Sequence, residues 1–402
     1  MFNQIINWFE SFLTLCHLSW LWPGFSDAGK FILEHLVSGM IPAFFIAGAI
    51  AIFIDKDRIT KYMGAKANPL ISYPVAALSG GILTVCSCGV IPIFTSILQQ
   101  GAGVGPAFTF LMSAPAVNLI ALSYTGSLLG KSFLFGRTIA VFSCSILIGL
   151  SMRYCFPDQI FEPKKSKYVM VEEEKNYTDM QLALFFFLLV LIMLTTTGLL
   201  DKYTVVITKL IGDLFLKMGE NESFLSSSLI WIGNFLSTPF GSRIITVIFE
   251  ILIIALWSWK IFDKYEIQLW IKKSYQLFIM IFPKVLAGIF VCGIISKNFP
   301  LTEYLNFFDS NTWSSNFIAS LLGSLMYFGT IVGVTIVQTL YNYGMNAGPS
   351  LTLLLAGPAV SLPSILALFP IVGKKKALVF LLFVMLFSAI SGFIFGNFSV
   401  TN

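Results

Sequence analysis

The chain has 402 residues, of which 56% are hydrophobic and only 11% are charged, whereas soluble domains usually carry about 25% charged residues. This composition excludes a soluble globular domain and predicts an all-α, polytopic transmembrane helical bundle in the lipid bilayer. The net charge of +5 is small for the length, so it indicates membrane topology and lipid contact rather than nucleic-acid binding.

Residues 1–29 are predicted to form an N-terminal interfacial helix. No Lys or Arg precedes Lys30, so the segment lacks the basic region of a cleavable signal peptide. Trp8, Trp20 and Trp22 lie among apolar residues, which is typical of a helix at headgroup depth. A further helix of the bundle fits the same pattern.

Residues 30–156 are predicted to be a first transmembrane repeat, because one crossing needs about 20 apolar residues. Its expected spans are Phe31–Ile54, Leu70–Leu98, Val104–Tyr124 and Ser132–Phe156. Residues 157–179 are the longest polar stretch and predict a flexible loop between two halves.

The stretch Leu78–Leu119 is apolar but interrupted by glycine and proline, which predicts a broken membrane helix. Within it, Cys86 and Cys88 would point about 200° apart on an intact helix. Gly89 and Pro92 allow the segment to unwind, so that both sulfurs can face one cavity. Because non-helical backbone at membrane depth survives only inside protein or beside water, the break indicates a site.

Two thiolates suit a soft species such as trivalent arsenic, copper(I) or zinc. The alternative is that each cysteine is a small hydrophobe filling a gap. We expect the first half of the substrate site to consist of Cys86 and Cys88, which would also bind a metal, and of Ser87, Pro92, Pro115 and Asn118. The six cysteines of the chain are scattered rather than spaced as a disulfide framework, so we expect them to be reduced.

Residues 180–273 are predicted to be a connecting transmembrane region, and residues 274–402 a second transmembrane repeat. The expected spans are Met180–Leu200, Arg243–Trp259, Ser274–Ser296, Phe317–Tyr341, Ala347–Phe369 and Lys375–Phe395. Lys202–Gly219 is expected to be amphipathic, and Phe224–Pro239 is either re-entrant or spanning. The total is therefore nine or ten spans.

An internal repeat is visible in the sequence itself. A shift of 243 residues lays Gly101–Leu119 over Gly344–Leu362 with nine of nineteen positions identical. Shared Leu and Val would be expected of any two apolar helices, but glycine and proline at fixed offsets indicate a true repeat. The shared glycines and prolines are Gly101/Gly344, Gly105/Gly348, Pro106/Pro349 and Pro115/Pro358.

Repeated halves with interrupted helices at matching positions are typical of secondary transporters, whose site lies near the midplane between the repeats. Under the shift, Ser87 falls opposite Thr330, and Asn118 falls opposite Ser361. One half would supply thiols and the other hydroxyls and backbone. The second half of the site is expected to include Thr330, Pro358 and Ser361. Parallel and inverted repeats both remain open.

Charged residues inside spans are the other candidates, because they are costly at mid-membrane. Glu250 lies mid-span in V-I-F-E-I-L-I-I. It is predicted to couple transport to protons, since burial favours a neutral carboxyl; the alternative is a fixed ion pair with a cation such as Lys284. Arg137 and Arg243 lie near span ends and are interpreted as topological anchors.

The run Cys86-Ser87-Cys88-Gly89-Val90-Ile91-Pro92, with the glycine and proline positions that follow it in both halves, resembles the predicted-permease family that includes the ArsP-type organoarsenical efflux permeases. The resemblance implies a multi-pass permease of the cell (inner) membrane whose paired cysteines handle trivalent arsenicals. A related branch with the same run is associated with copper and zinc efflux. Gly333 and Thr335 stand where ArsP-like sequences tend to have a carboxylate and a proline.

Enzyme functions are not expected. The sequence has no Walker motif, dinucleotide fingerprint or zinc-protease helix, so neither ATP nor another cofactor is predicted. The expected partner is a small molecule or ion as substrate. A dithiol exchange enzyme and a gradient-independent channel are the rival functions, and the repeat and the resemblance favour a carrier.

Overall fold

Helices make up the regular secondary structure in the described part of the computed structural model. That part comprises residues 25–26, 28–29, 32, 40–54, 56–64, 67–83, 87, 89–117, 119–157, 177–196, 204–205, 208–209, 239–298, 307–325 and 330–399. The all-α class is therefore confirmed. The predicted interfacial helix, most of the polar loop, Lys202–Gly219 and Phe224–Pro239 lie wholly or largely outside the described residues.

The first half contains seven described helices. They are α1 (Ile41–Phe53), α2 (Lys56–Met63), α3 (Pro69–Leu83), α4 (Val90–Gln99), α5 (Val104–Ala116), α6 (Leu119–Leu128) and α7 (Lys131–Cys155).

The remaining described helices include a connecting pair and a second half. They are α8 (Asp179–Thr196), α9 (Pro239–Ile261), α10 (Lys264–Asn298), α11 (Trp313–Leu325), α12 (Thr330–Asn342), α13 (Ala347–Ala359), α14 (Leu362–Val372) and α15 (Lys374–Ser399).

Five of these helices, α7, α8, α9, α10 and α15, are long and apolar enough to cross a membrane on their own. Two bent pairs, α5–α6 at 50° and α13–α14 at 46°, raise the number to as many as seven. This is fewer than the nine or ten spans expected from the sequence, and two of the expected spans account for part of the difference.

The expected span Leu70–Leu98 is a re-entrant hairpin rather than a crossing. Helices α3 and α5 run parallel, since Tyr73 lies against Gly105 at their starts and Gly81 against Val117 at their ends. Only a four-residue turn separates α4 from α5, so α4 must return to the side where α3 began. The 15 and 10 residues of α3 and α4 give about 22 and 15 Å at 1.5 Å per residue, each too short to cross.

The expected span Phe317–Tyr341 is corrected in the same way. Asn316 contacts Thr352 and Gly323 contacts Gly357, so α11 and α13 also run parallel and α12 returns. Hydropathy summed over 25 to 29 residues cannot distinguish a hairpin from a crossing, because it contains no information on direction.

The two halves correspond in structure at the same offset of 243 residues that the sequence shows. Helices α5 and α13 both have 13 residues and begin at equivalent positions. Left-handed backbone occurs at Gly101 (φ 95°) and Gly344 (φ 105°), and again at Gly130 (φ 92°) and Gly373 (φ 85°). Only glycine adopts this conformation without strain, which explains why these residues match in the repeat.

The same backbone bond closes the re-entrant hairpin in each half, and it defines two faces of the protein. The Gly103 N–H donates to the Met63 carbonyl at 2.7 Å on one side, here called face A. The Asn346 N–H donates to the Phe308 carbonyl at 2.7 Å on the opposite side, here called face B.

The repeats are inverted with respect to each other. Helix α7 begins at face B and ends at face A, and α15 runs antiparallel to it. The Phe133 ring lies 5.1 Å from the Phe395 ring at face B, and the Lys376 ammonium lies 5.9 Å from the centroid of Phe156 at face A. Helices α1 and α10 are antiparallel too, because Phe44 packs against Phe278 whereas Phe53, further along α1, packs against the earlier Trp270. This decides the relationship that the sequence left open.

The connecting pair α8 and α9 packs beside α1 and α10, outside the two repeats. An aromatic cluster at face A joins these helices: the Phe53 ring stacks on Phe262 at 4.1 Å and meets Phe185 and Trp270 edge-on. The predicted boundaries 30–156, 157–179, 180–273 and 274–402 stay predictions.

Candidate functional site

The breaks in α5 and α13 have the same local cause. Pro115 and Pro358 lie inside the last turn of their helices, where each removes the donor to the carbonyl four residues earlier. Val117 has already left helical geometry, and Val360 and Ser361 are fully extended. Each broken helix therefore presents backbone polar groups at the point where it bends.

The broken elements pack against one another across the two repeats. Helix α5 contacts α13 directly, and α7 contacts α15. The shorter elements cross over, since α4 of the first half contacts α14 of the second, and α6 contacts α12. The four breaks therefore lie between helices that interlock around one central region.

Close helix approach brings each hairpin to the break of the neighbouring helix. Gly80 lies against Ser113 and Ala114, and Gly81 lies against Val117. A Cβ at Gly80 would collide with the Ser113 hydroxyl, so the approach depends on glycine there. The end of α3, which leads into the hairpin turn of the first half, therefore contacts the bend of α5.

The structure describes some of the predicted site residues and not others. Ser87, Pro92, Pro115, Pro358 and Ser361 are all buried. Cys86, Cys88 and Asn118 lie outside the described residues, and Thr330 is described only as the first residue of α12. Gly89, next to the second cysteine, is the N-cap of α4 and no side chain caps that helix.

Ser361 is the most fully defined of the predicted polar residues. Its Oγ lies 2.9 Å from the Oγ of Ser364, and both side chains are buried at the start of α14. A hydroxyl pair of this kind can donate outward while remaining satisfied internally. Helix α14 also contacts α4, which begins one residue after the Cys-Ser-Cys-Gly run.

Glu250 lies on α9 and is 7% exposed. The Thr195 hydroxyl of α8 lies 2.8 Å from Glu250 Oε1 and 3.0 Å from the Leu191 carbonyl. The hydroxyl has one hydrogen, so it either shares that hydrogen between the two acceptors or accepts from Glu250 when the carboxyl is protonated. Glu250 Oε2 has no hydrogen-bond partner. Lys284, the cation considered for an ion pair, donates instead to the Met280 carbonyl of its own helix.

The interpretation of Arg137 as a topological anchor is wrong. Instead of anchoring α7 at the surface, it is 0% exposed and donates from Nη1 to the Thr125 hydroxyl of α6 at 2.7 Å. Its Nε and Nη2 have no hydrogen-bond partner among the residues that the structure describes. Arg243, the other expected anchor, is half-buried near the start of α9.

Comparison of the two repeats in the sequence identifies Arg137 as unusual. Its equivalents at the offset of 243 are Phe380 for Arg137 and Leu368 for Thr125, both buried and apolar. One half thus carries a guanidinium and its hydroxyl partner where the other half carries a hydrocarbon contact, which indicates a function beyond packing.

Two inverted repeats, each with a re-entrant hairpin and a broken helix, interlock at the centre of an apolar bundle, and this arrangement defines a membrane permease. Comparison with known families agrees. The chain belongs to the ArsP-type predicted permease family, whose model matches residues 25–397.

Curated relatives extend the comparison. UPF0718 protein MJ0584 of Methanocaldococcus jannaschii is 37% identical over 372 residues, covering 91% of this chain and 94% of the relative. UPF0718 protein YcgR of Bacillus subtilis is 28% identical over 33% of this chain and 45% of its own length. A putative two-component membrane permease complex subunit of Streptococcus mutans is 31% identical over 26% of this chain and 36% of its own. No solved structure matches.

Proposed function

We propose that the protein is a secondary transporter that exports soft, thiophilic species, such as trivalent organoarsenicals, across the cell membrane. The observation that carries the proposal is the crosswise contact of α4 with α14. Helix α4 begins directly after Cys86-Ser87-Cys88-Gly89, and α14 begins directly after Ser361. This contact supports the inference that the thiol-bearing break of one half lies close to the hydroxyl-bearing break of the other.

The chemistry of the remaining ligands favours an arsenical over zinc. Zinc prefers four protein ligands in structural sites and three in catalytic ones. The sequence has only two histidines, and no Asp or Glu lies between Asp57 and Asp158 or after Asp309. Cys86 and Cys88 would therefore act almost alone, which suits a monoorganic trivalent arsenical, whose arsenic has two exchangeable positions. Copper(I) with two thiolates is the second candidate.

Arg137 supports the same choice. A buried guanidinium in a stretch without acidic residues, between Asp57 and Asp158, repels cations, and two unit charges at about 4 Å interact by roughly 4 kcal/mol at an effective dielectric constant of 20. A neutral arsenical escapes this repulsion. We infer that Arg137 disfavours cationic substrates, including copper and zinc ions.

Inverted repeats also supply a mechanism. Because the two halves have opposite orientations, exchanging their conformations converts a site open to face A into one open to face B. The bends after Pro115 and Pro358 are the places where this rearrangement costs least helix hydrogen bonding. Glu250 is the proposed proton-coupling residue, since its contact with Thr195 satisfies both groups when the carboxyl is protonated.

The distribution of basic residues predicts how the protein is oriented in the membrane. The described cations at face A include Lys61, Arg153, Lys260, Lys264, Lys374, Lys375 and Lys376. Lys131 begins α7 at face B, where fewer of the described cations lie. We infer by the positive-inside rule that face A is the cytoplasmic side of the cell (inner) membrane. Export then runs from face A to face B and would confer arsenic resistance.

Everted vesicles loaded side by side with methylated and aromatic trivalent arsenicals, arsenite, copper(I) and zinc test the proposal. We expect gradient-dependent, saturable uptake of the organoarsenicals, lost in the Cys86→Ser/Cys88→Ser double variant. Cys155→Ser is the matched control, because it removes an exposed thiol at the end of α7. Full transport by the double variant would eliminate the thiol mechanism. Gradient-independent flux would indicate a channel, and turnover of a dithiol in detergent would indicate an enzyme.

A further inference from the structure

A small cavity lies at face A, where α5 begins. Its volume is about 50 Å³, several times the roughly 10–15 Å³ that one water requires. The starts of α3 and α5 and the end of α7 form most of its wall. The lining residues used below are Ser72, Tyr73, Val104, Gly105, Arg153 and Phe156.

The helix end at this cavity is uncapped. No side chain accepts a hydrogen bond at the N-cap Gly103, and the Gly103 N–H is itself taken by the Met63 carbonyl. Pro106 has no N–H, so Val104 and Gly105 carry the free donors of the first turn. Such donors, together with the positive end of the helix dipole, attract anions.

Two buried hydroxyls lie at the cavity. Ser72 is 1% exposed and its oxygen has no hydrogen-bond partner among the described residues, whereas Tyr73 is 2% exposed and its hydroxyl interacts with the Arg153 guanidinium. The Tyr73 hydroxyl lies so close to Gly105 that a Cβ there would collide with it. An unpartnered buried hydroxyl is costly, so Ser72 beside free N–H donors and the Tyr73–Arg153 pair points to a missing acceptor.

The surroundings are electropositive. Arg153 lines the cavity and lies close enough to Tyr73 to act on its hydroxyl electrostatically. Lys376 of α15 lies 5.9 Å from the ring centroid of Phe156. No acidic residue occurs in the chain between Asp57 and Asp158. The described lining of the cavity therefore has donors and positive charge but no carboxylate.

At the equivalent helix end of the second repeat, the polar groups form hydrogen bonds within the protein. There the Asn346 side chain caps α13 by accepting from the Gly348 N–H. Asn316, which stands where Tyr73 does, donates to Asn311 at 2.9 Å and accepts from Thr352 at 2.9 Å. Ser315, the equivalent of Ser72, donates to the Ser310 carbonyl at 2.7 Å. The start of α13 at face B is therefore capped by the protein's own side chains, whereas the start of α5 at face A is not.

We propose that the face A cavity binds a tetrahedral oxyanion group, phosphate or sulfate. The donors are the Val104 and Gly105 N–H groups and the hydroxyls of Ser72 and Tyr73, with Arg153 as the counter-charge. At the membrane surface this group can come from a phospholipid headgroup or from the free ion. Its occupation secures the start of α5, the helix that breaks at the proposed transport site.

The test uses purified full-length protein in two vesicle types, phosphatidylglycerol and the phosphate-free glycolipid digalactosyldiacylglycerol, with melting temperature as the readout. In the glycolipid, added phosphate or sulfate should raise the melting temperature more than chloride at equal ionic strength, if the free ion binds. A higher melting temperature in phosphatidylglycerol, without an effect of free phosphate, assigns the site to the lipid headgroup. Either result supports the proposal.

Variants tie the effect to the cavity. Arg153→Gln should weaken the apparent affinity by about tenfold or more, and Tyr73→Phe should also reduce it. Exposed Lys131→Gln at face B is the matched charge control and should change nothing. The proposal is overturned if neither anion source stabilises the protein, or if Arg153→Gln and Tyr73→Phe respond like wild type. Because Cys86→Ser/Cys88→Ser should retain the stabilisation, failure of the transport proposal is distinguishable.

Discussion

Thr195 and Glu250 join α8 to α9 through a single hydroxyl, which lies 2.8 Å from the Glu250 carboxyl. We expect Glu250→Gln to keep this contact, because the amide can donate to Thr195 as a protonated carboxyl does. The variant should therefore fold with near-normal thermal stability but lose proton-driven accumulation. Uptake with and without an imposed proton gradient measures this, and exchange of substrate down its own gradient should persist.

Thr195→Val is the companion variant. It removes the hydroxyl at nearly constant volume and leaves the carboxyl without the hydrogen bond from Thr195, so it should lower stability by about 1–3 kcal/mol. Transport by Glu250→Gln with an unchanged pH dependence and normal stability would remove Glu250 from the coupling mechanism.

Arg137→Met tests the exclusion of cations. Replacing a buried charge by an apolar side chain of similar length is often neutral or stabilising, so the melting temperature should not fall. We expect arsenical transport within about twofold of wild type and a measurable rise in copper(I) or zinc uptake. A loss of arsenical transport at normal stability would instead indicate direct substrate binding by the guanidinium.

Thr125→Val gives the structural control for the same pair. The guanidinium would lose its 2.7 Å contact with the Thr125 hydroxyl while staying buried. Stability should decrease by about 1–3 kcal/mol, which thermal unfolding in detergent can measure. An unchanged stability would show that Arg137 is hydrated in solution.

Pro115→Ala and Pro358→Ala should impair transport more than Leu354→Ala does. Each proline substitution restores an N–H and favours a straighter helix at the bend. Leu354 is buried in α13, so its truncation should cost more stability, about 2–5 kcal/mol, yet leave the bend intact. Parallel measurement of transport and melting temperature separates the two effects. Equal transport losses would indicate only a packing role for the prolines.

Gly149→Ala and Gly392→Ala should each destabilise the bundle by about 1–3 kcal/mol, because overpacking forces helices apart. A Cβ at Gly149 would collide with the Thr109 hydroxyl, and one at Gly392 with the Thr352 hydroxyl. Gly126→Ala is the control, since its nearest neighbour is the flexible Leu134 side chain at 3.2 Å. Similar melting temperatures for all three variants would contradict the close helix approach.

Native and introduced thiols test the orientation. Cys155 is exposed at the face A end of α7, and Tyr343 is 69% exposed in the face B turn before α13. With the other cysteines replaced, Cys155 should react with an impermeant maleimide only from the cytoplasmic side, and Tyr343→Cys only from the outside. Labelling of both from one side would contradict the inverted arrangement.

Composition and local pattern were sufficient for several features. The scarcity of charge predicts a membrane bundle, since 11% charged residues is far below the roughly 25% of soluble domains. Glycine and proline at a fixed offset predict the repeat and the breaks, because both residues act on their own backbone. In the structure, Gly101 and Gly344 have left-handed backbone, and the bends lie beside Pro115 and Pro358.

Direction and burial were decided only by tertiary structure. Leu70–Leu98 has the length and hydropathy of a span, and the contact of Tyr73 with Gly105 is what makes it a re-entrant hairpin. The inverted relation of the halves likewise depends on which ends of α7 and α15 meet. Arg137 lies near a span end in the sequence, but α6 covers it. The burial of a side chain depends on neighbouring helices that the local sequence does not specify. Only the packed bundle therefore shows how deeply Arg137 is buried.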